Sequence, residues 1–405
     1  EPIPARTLLE NYPEKEVGDN WVVAQEMERC EARGALRWVD ESEAHFIHPW
    51  VVVHTAPDGK PKVRACGDYS AILNKYDAAS WPFALPRVWD LKAWMTPRSY
   101  LAKFDLSDGF WAVPINEGHQ QYFGYRMPRD AIDPATGKRH PRAGQTALAT
   151  RLPFGWSASP ALFQFCTQAV AEKLRIKHGI QCLAYCDDFC VTHSDRATLV
   201  RHMQIFEEEC AALGLVLAKH KREGPTRSLK FLGLRITNLP GERSISLPTD
   251  KKAKLLKMIE HYQTSYRTGD RVAPQQLAKL LGLLNFASQV VDGGEVFLSR
   301  MYSSFQGCIV DWKRGQVRFG TGLRPMVLPG GFFRDLAWWK ENLERRNAVP
   351  LLIDTQRGPP VIFGTDASDL ASGGVSWISG MRETVKHIWT PYEKSLPINF
   401  RELAG

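Results

Sequence analysis

No run of eighteen apolar residues occurs in this chain, so no membrane-spanning helix is expected. No Cys-x-x-Cys pair occurs among its eight cysteines, and most of them sit between apolar residues, which disfavours a zinc finger or a redox dithiol. Cys182, Cys186 and Cys190 recur every four residues, but within a strand-turn-strand pattern, so they do not converge. They read as reduced core thiols of an intracellular protein. No internal repeat and no low-complexity tract is present, which argues against a solenoid or a disordered tail. No secretory leader opens the sequence, which starts EPIPARTLLE without a methionine, and a segment of a longer protein is expected. What is present is a chain of 405 residues, 44% hydrophobic and 24% charged, with room for two or three ordinary domains. Its formal charge of +8 favours an anionic partner, nucleic acid first.

Helical patterning runs through residues 21–36, with Gly34 at its end. Residues 51–76 read as two strands around an Asp58-Gly59 turn, and 87–94 as a short helix. YLAKFDL, 100–106, is a buried strand. Asn116 is placed to cap a short helix before the strand YFGYRM. Residues 128–144, rich in Pro, Gly and basic side chains, read as an inserted loop. A helix is expected after RLPFGWSASP, with Ser159 as cap, Pro160 at its first position, and Leu162, Phe165, Cys166 and Ala169 on its inner face. A hairpin at 181–193 and a helix at 196–213 follow, then strand pieces LVLAKHK and SLKFLGLRI. Residues 249–263 form a basic amphipathic helix capped by Thr249 or Asp250. The stretch 274–304 is helical with a break at 292–294, 315–331 resembles a linker, and 361–378 reads as two strands around a turn.

The hairpin QCLAYCDDFCVTH sets two carboxylates, Asp187 and Asp188, side by side among apolar residues. Aspartate is an ordinary turn residue, so a plain β-turn is one reading. Metal binding is the other. Asp105, in KFDLSDGF, lies at the end of its own strand, and its plain reading is also a strand-end turn. A strand, a helix and then a hairpin allow both carboxylate-bearing strands to lie side by side in one sheet. Three carboxylates meeting there repel one another. Two Mg²⁺ ions, roughly 3.5–4 Å apart in two-metal sites, remove that repulsion and bind phosphate oxygens.

The ordered set KFDLSDGF, LPFGWSASPALFQ, YCDD, LAKHK and KFLGLRI, within residues 47–240, resembles the palm of a reverse transcriptase. The resemblance implies an α+β, right-hand polymerase: fingers and palm over 1–245, thumb and connection over 246–345, and a truncated RNase H-like module over 346–405. It implies that Asp105 and Asp187 hold two Mg²⁺ (or Mn²⁺) ions, with Asp188 a weaker or indirect ligand. Arg64 matches the fingers arginine that meets the triphosphate; Lys60 and Lys62 share its hairpin and read equally as a solvated face. Asp108, Gly109 and Phe110 match the turn whose amides touch the triphosphate, with Phe110 under the sugar unless it is a core side chain. Gly155 in PFGW would let backbone approach template or nucleotide. Phe154 precedes it, and Gln164 falls on the helix behind. Lys221 matches the lysine near the β- and γ-phosphates, a candidate proton donor to pyrophosphate, or else a solvated lysine in a basic run. SLKFLGLRI matches a primer-grip hairpin bent at Leu232-Gly233.

Near the C-terminus, TDASDLASGGV and NFRELAG resemble the start of an RNase H domain, with Asp366 and Glu402 as its first two carboxylates; the others it needs lie downstream in that family. The phrase LAKLLGLLNFASQVVDGGEVFLSRMY, with TDAS and INFRELAG, resembles DIRS-type, tyrosine-recombinase retrotransposons. The implied activity is RNA-directed DNA polymerisation on an RNA or DNA template with a primer and dNTPs, beside other parts of a retroelement polyprotein and away from any membrane. Basic residues between Lys251 and Lys257 would follow the duplex backbone. A catalytically silent nucleic-acid-binding relative and an RNase H-type nuclease completed by residues outside this chain stand as alternatives.

Overall fold

The computed structural model describes residues 3–55, 62–76, 83–305, 308–311, 316–319, 322–324, 326–351, 362–367, 370–378 and 381–394. The chain forms two compact units, Glu1–Leu352 and Ile353–Gly405.

The first layer of the larger unit is a five-stranded sheet. Its order is Thr7–Leu8, Phe46–His48, Gly124–Arg126, Thr146–Ala149, Leu36–Val39. Helix Asp19–Ala32 covers it, burying Val23, Met27 and Cys30 against Phe46 and Tyr125. The helix begins and ends earlier than its sequence pattern suggests, because Leu36 opens a strand: the last apolar residues of the periodic run serve the sheet. Beside this layer, strands Trp50–Thr55 and Lys62–Gly67 pair in antiparallel fashion. The expected Asp58-Gly59 turn and Lys60 lie outside the described residues.

The second layer is a four-stranded sheet in the order Glu223–Thr226, Tyr100–Asp105, Asp188–His193, Gln181–Tyr185. Helices Ser159–His178 and Arg196–Ala212 back it. Phe206 of the second helix stacks on Phe104 at 4.3 Å and meets Phe189 at 5.1 Å, which locks the two central strands to one support.

Two expectations for the first of these helices fail. Ser159 does not cap it: the residue is buried and its hydroxyl donates to the Pro153 carbonyl at 2.7 Å. The inner face carries Phe163, Gln164, Thr167, Val170 and Leu174, while Phe165, Cys166 and Ala169 are exposed. Counting apolar residues chose the wrong face because a glutamine and a threonine are needed inside.

Strands Ser228–Phe231, Leu234–Leu239 and Glu242–Ser246 form a third sheet, closed by Val349–Pro350. Its first bend has Leu232 and Gly233 in the left-handed region, as the hairpin expectation requires. Helices Thr249–Ser265, Pro274–Ser288 and Phe332–Arg345 follow. Neither Thr249 nor Asp250 caps the first of them; Pro248 precedes it, and Asp250 instead pairs with Lys230 at 2.9 Å. The expected linker at 315–331 contains strands Gln316–Phe319 and Gly322–Arg324, which pair in a meander with Cys308–Asp311.

In the smaller unit, strands Ile362–Ala367, Ala371–Ile378 and Met381–Ile388 form an antiparallel meander. Asp366 lies on the first strand, opposite Gly373. Glu402 lies outside the described residues. Among the described residues no helix is long and apolar enough to cross a membrane.

Candidate active site

The antiparallel register sets Asp188 directly opposite Asp105. One step further, the Leu106 amide donates to the Asp187 carbonyl at 2.9 Å. All three aspartates therefore gather at one end of the central strand pair, as the strand-helix-hairpin order anticipates.

The turn between strands Gln181–Tyr185 and Asp188–His193 is tight and conformationally costly. Cys186 adopts φ 49°, a left-handed conformation that costs a non-glycine residue about 1–3 kcal/mol. Gln164 offsets it. Its Oε1 accepts from the Cys186 amide at 2.7 Å and its Nε2 donates to the Ala184 carbonyl at 3.0 Å. The side chain is 1% exposed, so both ends of its amide are satisfied by this turn and not by water. Sequence reasoning placed Gln164 only behind the loop. The available signal was a long polar side chain between Phe163 and Thr167.

The electrostatics of this edge are repulsive. Burial pushes the Asp187 carboxyl upward, and the charge of Asp105 adds to it. Asp188 is pushed up to about 6, by burial first and then by Asp187 and Asp105, with Lys221 and Lys103 opposing. The cation nearest the cluster is Lys221, whose Nζ donates to Asp105 Oδ1 at 2.7 Å. Lys221 arrives on a short 3-10 turn, Lys219–Lys221, held by the Ala218 amide on the Asp105 carbonyl at 2.8 Å. LAKHK is therefore not a strand; only Leu217 bridges Leu106.

Among the described residues no three His, Cys, Asp or Glu side chains are close enough to cage a metal ion unaided. The donors present are hard carboxylate oxygens on adjacent strands, and burial together with neighbouring negative charge makes Asp187 and Asp188 hold their protons more tightly. That set suits Mg²⁺, which takes one or two carboxylates and fills its shell with water and substrate phosphates.

Past Asp105 the chain turns through Asp108, which is left-handed at φ 52°, into a 3-10 helix Gly109–Ala112. A side chain at Gly109 would run into the Phe163 ring. Phe110 is half-buried, 4.9 Å from the Phe154 ring and edge-on to Phe163 at 5.2 Å. It is neither a fully enclosed core residue nor a free one. Arg64 is exposed on its strand, opposite Val53, and Lys62 is exposed on the same strand. Gly155 has φ 101°, and a Cβ there would collide with the Gly67 carbonyl. The close approach its bareness permits is thus to the backbone of the neighbouring hairpin. Of the basic run, Lys251 lies 4.4 Å over the Phe286 ring and Lys252 pairs with Glu344 at 2.9 Å, while Lys254 and Lys257 are exposed.

Residues 69–236 match the family model for reverse transcriptase (RNA-dependent DNA polymerase). The chain is 26% identical over 216 residues to the Pro-Pol polyprotein of Simian foamy virus type 1, covering 53% of this chain and 16% of that one. It is 28% identical over 304 residues to the Pro-Pol polyprotein of Simian foamy virus type 3 (strain LK3), covering 73% and 22%. With the enzymatic polyprotein of Cauliflower mosaic virus (strain NY8153) it shares 22% over 272 residues, covering 66% and 34%. The chain thus spans between 16% and 34% of the length of these relatives. Two similar solved structures are the foamy viral protease-reverse transcriptase dRH in complex with double-stranded DNA and the foamy viral protease-reverse transcriptase in complex with an RNA/DNA hybrid. The first has TM-score 0.63 and 21% identity, over 100% of this chain and 61% of that one. The second has TM-score 0.61 and 19% identity, over 99% and 47%. The fold is the right-hand polymerase fold.

Proposed function

We propose that this chain is an RNA-directed DNA polymerase of a retroelement, joining a dNTP to a primer 3′-hydroxyl on an RNA or DNA template. The observation that carries the reading is Asp188 opposite Asp105 at the edge where Asp187 also stands, three carboxylates with a single lysine on one of them. Asp105 and Asp187 would hold two Mg²⁺ or Mn²⁺ ions, with Asp188 a weaker or indirect ligand. Bound there, the ions neutralise phosphate charge and favour the ionised primer hydroxyl.

The chain's own side chains do the rest. Gln164 keeps the Cys186 turn in shape so that Asp187 stays fixed. Lys221, held at Asp105 before substrate arrives, would turn to the β- and γ-phosphates and hand its proton to departing pyrophosphate. Arg64 adds a positive charge to the triphosphate side. The amides of Asp108 and Gly109 face the triphosphate, and the Phe110 ring stands under the sugar, where it leaves room for hydrogen at the 2′ position. Gly155 supports this surface by letting the PFGW loop lie on the Gly67 backbone.

The division into fingers and palm (1–245), thumb and connection (246–345) and an RNase H-like module (346–405) carrying Asp366 and Glu402 belongs to the same proposal. So do the DIRS-type assignment, carried by the sequence phrases at 277–302, 365–368 and 398–405, the polyprotein context and an intracellular site of action.

Primer extension on an RNA template with Mg²⁺ and dNTPs separates the readings. A polymerase extends the primer. A silent relative binds template-primer and extends nothing. A nuclease shortens the RNA of the hybrid without extending the primer.

A further inference from the structure

The loop at 128–144 and the helix Asp19–Ala32 have no part in the site so far, yet they are joined to it by a continuous set of ionic contacts. One side of the helix region faces the nucleotide turn. Arg29 Nη1 donates to Asp108 Oδ1 at 3.1 Å, and Arg33, just past the helix end, pairs with Asp108 Oδ2. The Arg29 guanidinium lies 4.4 Å from the centre of the Trp111 ring and is squared up by two bonds to Glu26, at 2.8 and 3.0 Å. Asp108 is the left-handed residue that starts the turn bearing Gly109 and Phe110. The other side of the helix faces the loop. Glu28 Oε1 accepts from His140 Nε2 at 2.8 Å, and Glu31 pairs with Arg142, whose guanidinium covers the Trp38 ring at 4.8 Å. The loop is closed on itself by the Ile132–Arg139 bridge and by Arg139 Nε on the Arg129 carbonyl at 2.6 Å.

The spacing makes this possible. Residues 28 and 31 share one helical face, and 29 and 33 share the next. Exposed ion pairs of this kind add little stability, typically 0–1 kcal/mol each. Their value is orientation: two planar forks on one carboxylate fix its position far better than one.

Resting on the polymerase reading above, we propose that Arg29 and Arg33 are positioning residues for the incoming nucleotide. They clasp Asp108 and so fix the turn that places Phe110, and the 128–144 loop holds in register the helix that carries them. Breaking the clasp frees the turn without touching the aspartates or the duplex. The consequence falls on nucleotide capture and sugar choice.

The test is steady-state incorporation by the wild type and by Arg29→Ala/Arg33→Ala, on one template-primer. The expected result is a KM for dNTP raised about tenfold or more, kcat within about twofold, and rNTP use relative to dNTP raised several-fold. Template-primer Kd and Tm stay unchanged. Asp108→Asn raises KM in the same way, and combining it with the arginine changes adds little more, because all act through one contact. Arg29→Lys/Arg33→Lys, which keeps charge and helix but loses the forks, falls between. Arg142→Gln, distant from the nucleotide, raises KM about two- to threefold. An active wild type whose KM and sugar discrimination are unchanged in the arginine variant, or effects that simply add, overturns the proposal alone. An unchanged KM in Arg142→Gln overturns the part given to the loop. A wild type that extends no primer overturns the polymerase reading and this proposal with it.

Discussion

The two central sheets bury their polar side chains in opposite ways. In the five-stranded sheet Arg126 is almost wholly buried and is matched by Glu10 and Glu41, while Gln120 accepts from Arg37 at 3.0 Å. Each charge has its opposite. In the four-stranded sheet three carboxylates share one strand edge, with Lys221 on Asp105, and burial and mutual repulsion push Asp187 and Asp188 upward. A paired network serves the fold. A cluster of like charges kept at a folding cost points to a ligand that cancels it.

The largest expected effect comes from removing one of those charges. Asp187→Asn lowers single-turnover extension by about 10³-fold or more, since several kcal/mol of charge stabilisation is lost. Template-primer Kd stays within a few-fold, because duplex affinity rests on dispersed basic residues. Extension at the wild-type rate would remove Asp187 from the site.

Next comes the turn. Gln164→Leu keeps the volume and deletes both bonds, leaving the Cys186 amide and the Ala184 carbonyl without their partner. Extension should fall about ten- to a hundredfold, corresponding to roughly 1.4–2.7 kcal/mol. Wild-type extension in a folded Gln164→Leu variant would mean that the strand pairing alone holds the turn.

Phe110→Ala should raise rNTP use relative to dNTP by at least about tenfold, a ratio that ~1.4 kcal/mol suffices to produce. Its packing against Phe154 and Phe163 gives it a structural duty as well. A folded Phe110→Ala variant with an unchanged ratio would leave it with that duty alone.

The comparison then makes a smaller prediction about stability. Asp188→Asn relieves repulsion in the metal-free protein, and its Tm should rise by about 1–2 °C per kcal/mol, because the shift per kcal/mol falls as the cooperative unit grows. An equivalent change in the paired sheet, Glu41→Gln, should lower Tm, because Arg126 would then lose a partner. A fall in both variants would erase the distinction between the two regions.

The smallest effect concerns His48 in the five-stranded sheet. Burial holds its imidazole down at about 4, against the modest opposing pull of Asp68 and of the bond to the Tyr122 carbonyl. Its ordinary value is ~6.5. The unfolded chain therefore takes up the proton first as pH falls. Stability from keeping His48 neutral is complete above about 6.5 and is lost as pH drops from there toward 4. Across that window the Tm of the wild type should fall more steeply than that of His48→Gln; parallel curves would show that the ring does not titrate on unfolding.

What the sequence revealed follows from how local each feature is. Asp105, Asp187 and Asp188 were legible together because strand, helix and hairpin leave few ways to arrange two carboxylate-bearing strands. Asn116 was legible as a cap because its partner, the Gly118 amide, is two residues away. Features whose cause lies far along the chain were not. Gln164 is buried because a turn more than twenty residues later needs an acceptor, so apolar counting put Phe165 inside in its place. Gly155 has a partner of the same distant kind, the Gly67 carbonyl, which a Cβ would meet. Arg29 and Arg33 drew no reading from the sequence, because their partner, Asp108, comes from another layer.

The central claim is that the like-charged edge of the four-stranded sheet exists to hold divalent ions, and counting bound ions tests it most directly. The measurement is Mn²⁺ bound to wild-type protein in complex with an RNA template, a chain-terminated primer and the next dNTP, followed by electron paramagnetic resonance. The account predicts two ions per complex in the wild type and loss of at least one in Asp187→Asn, with template-primer still bound. Equal numbers in the two proteins, or none in the wild type, would contradict it.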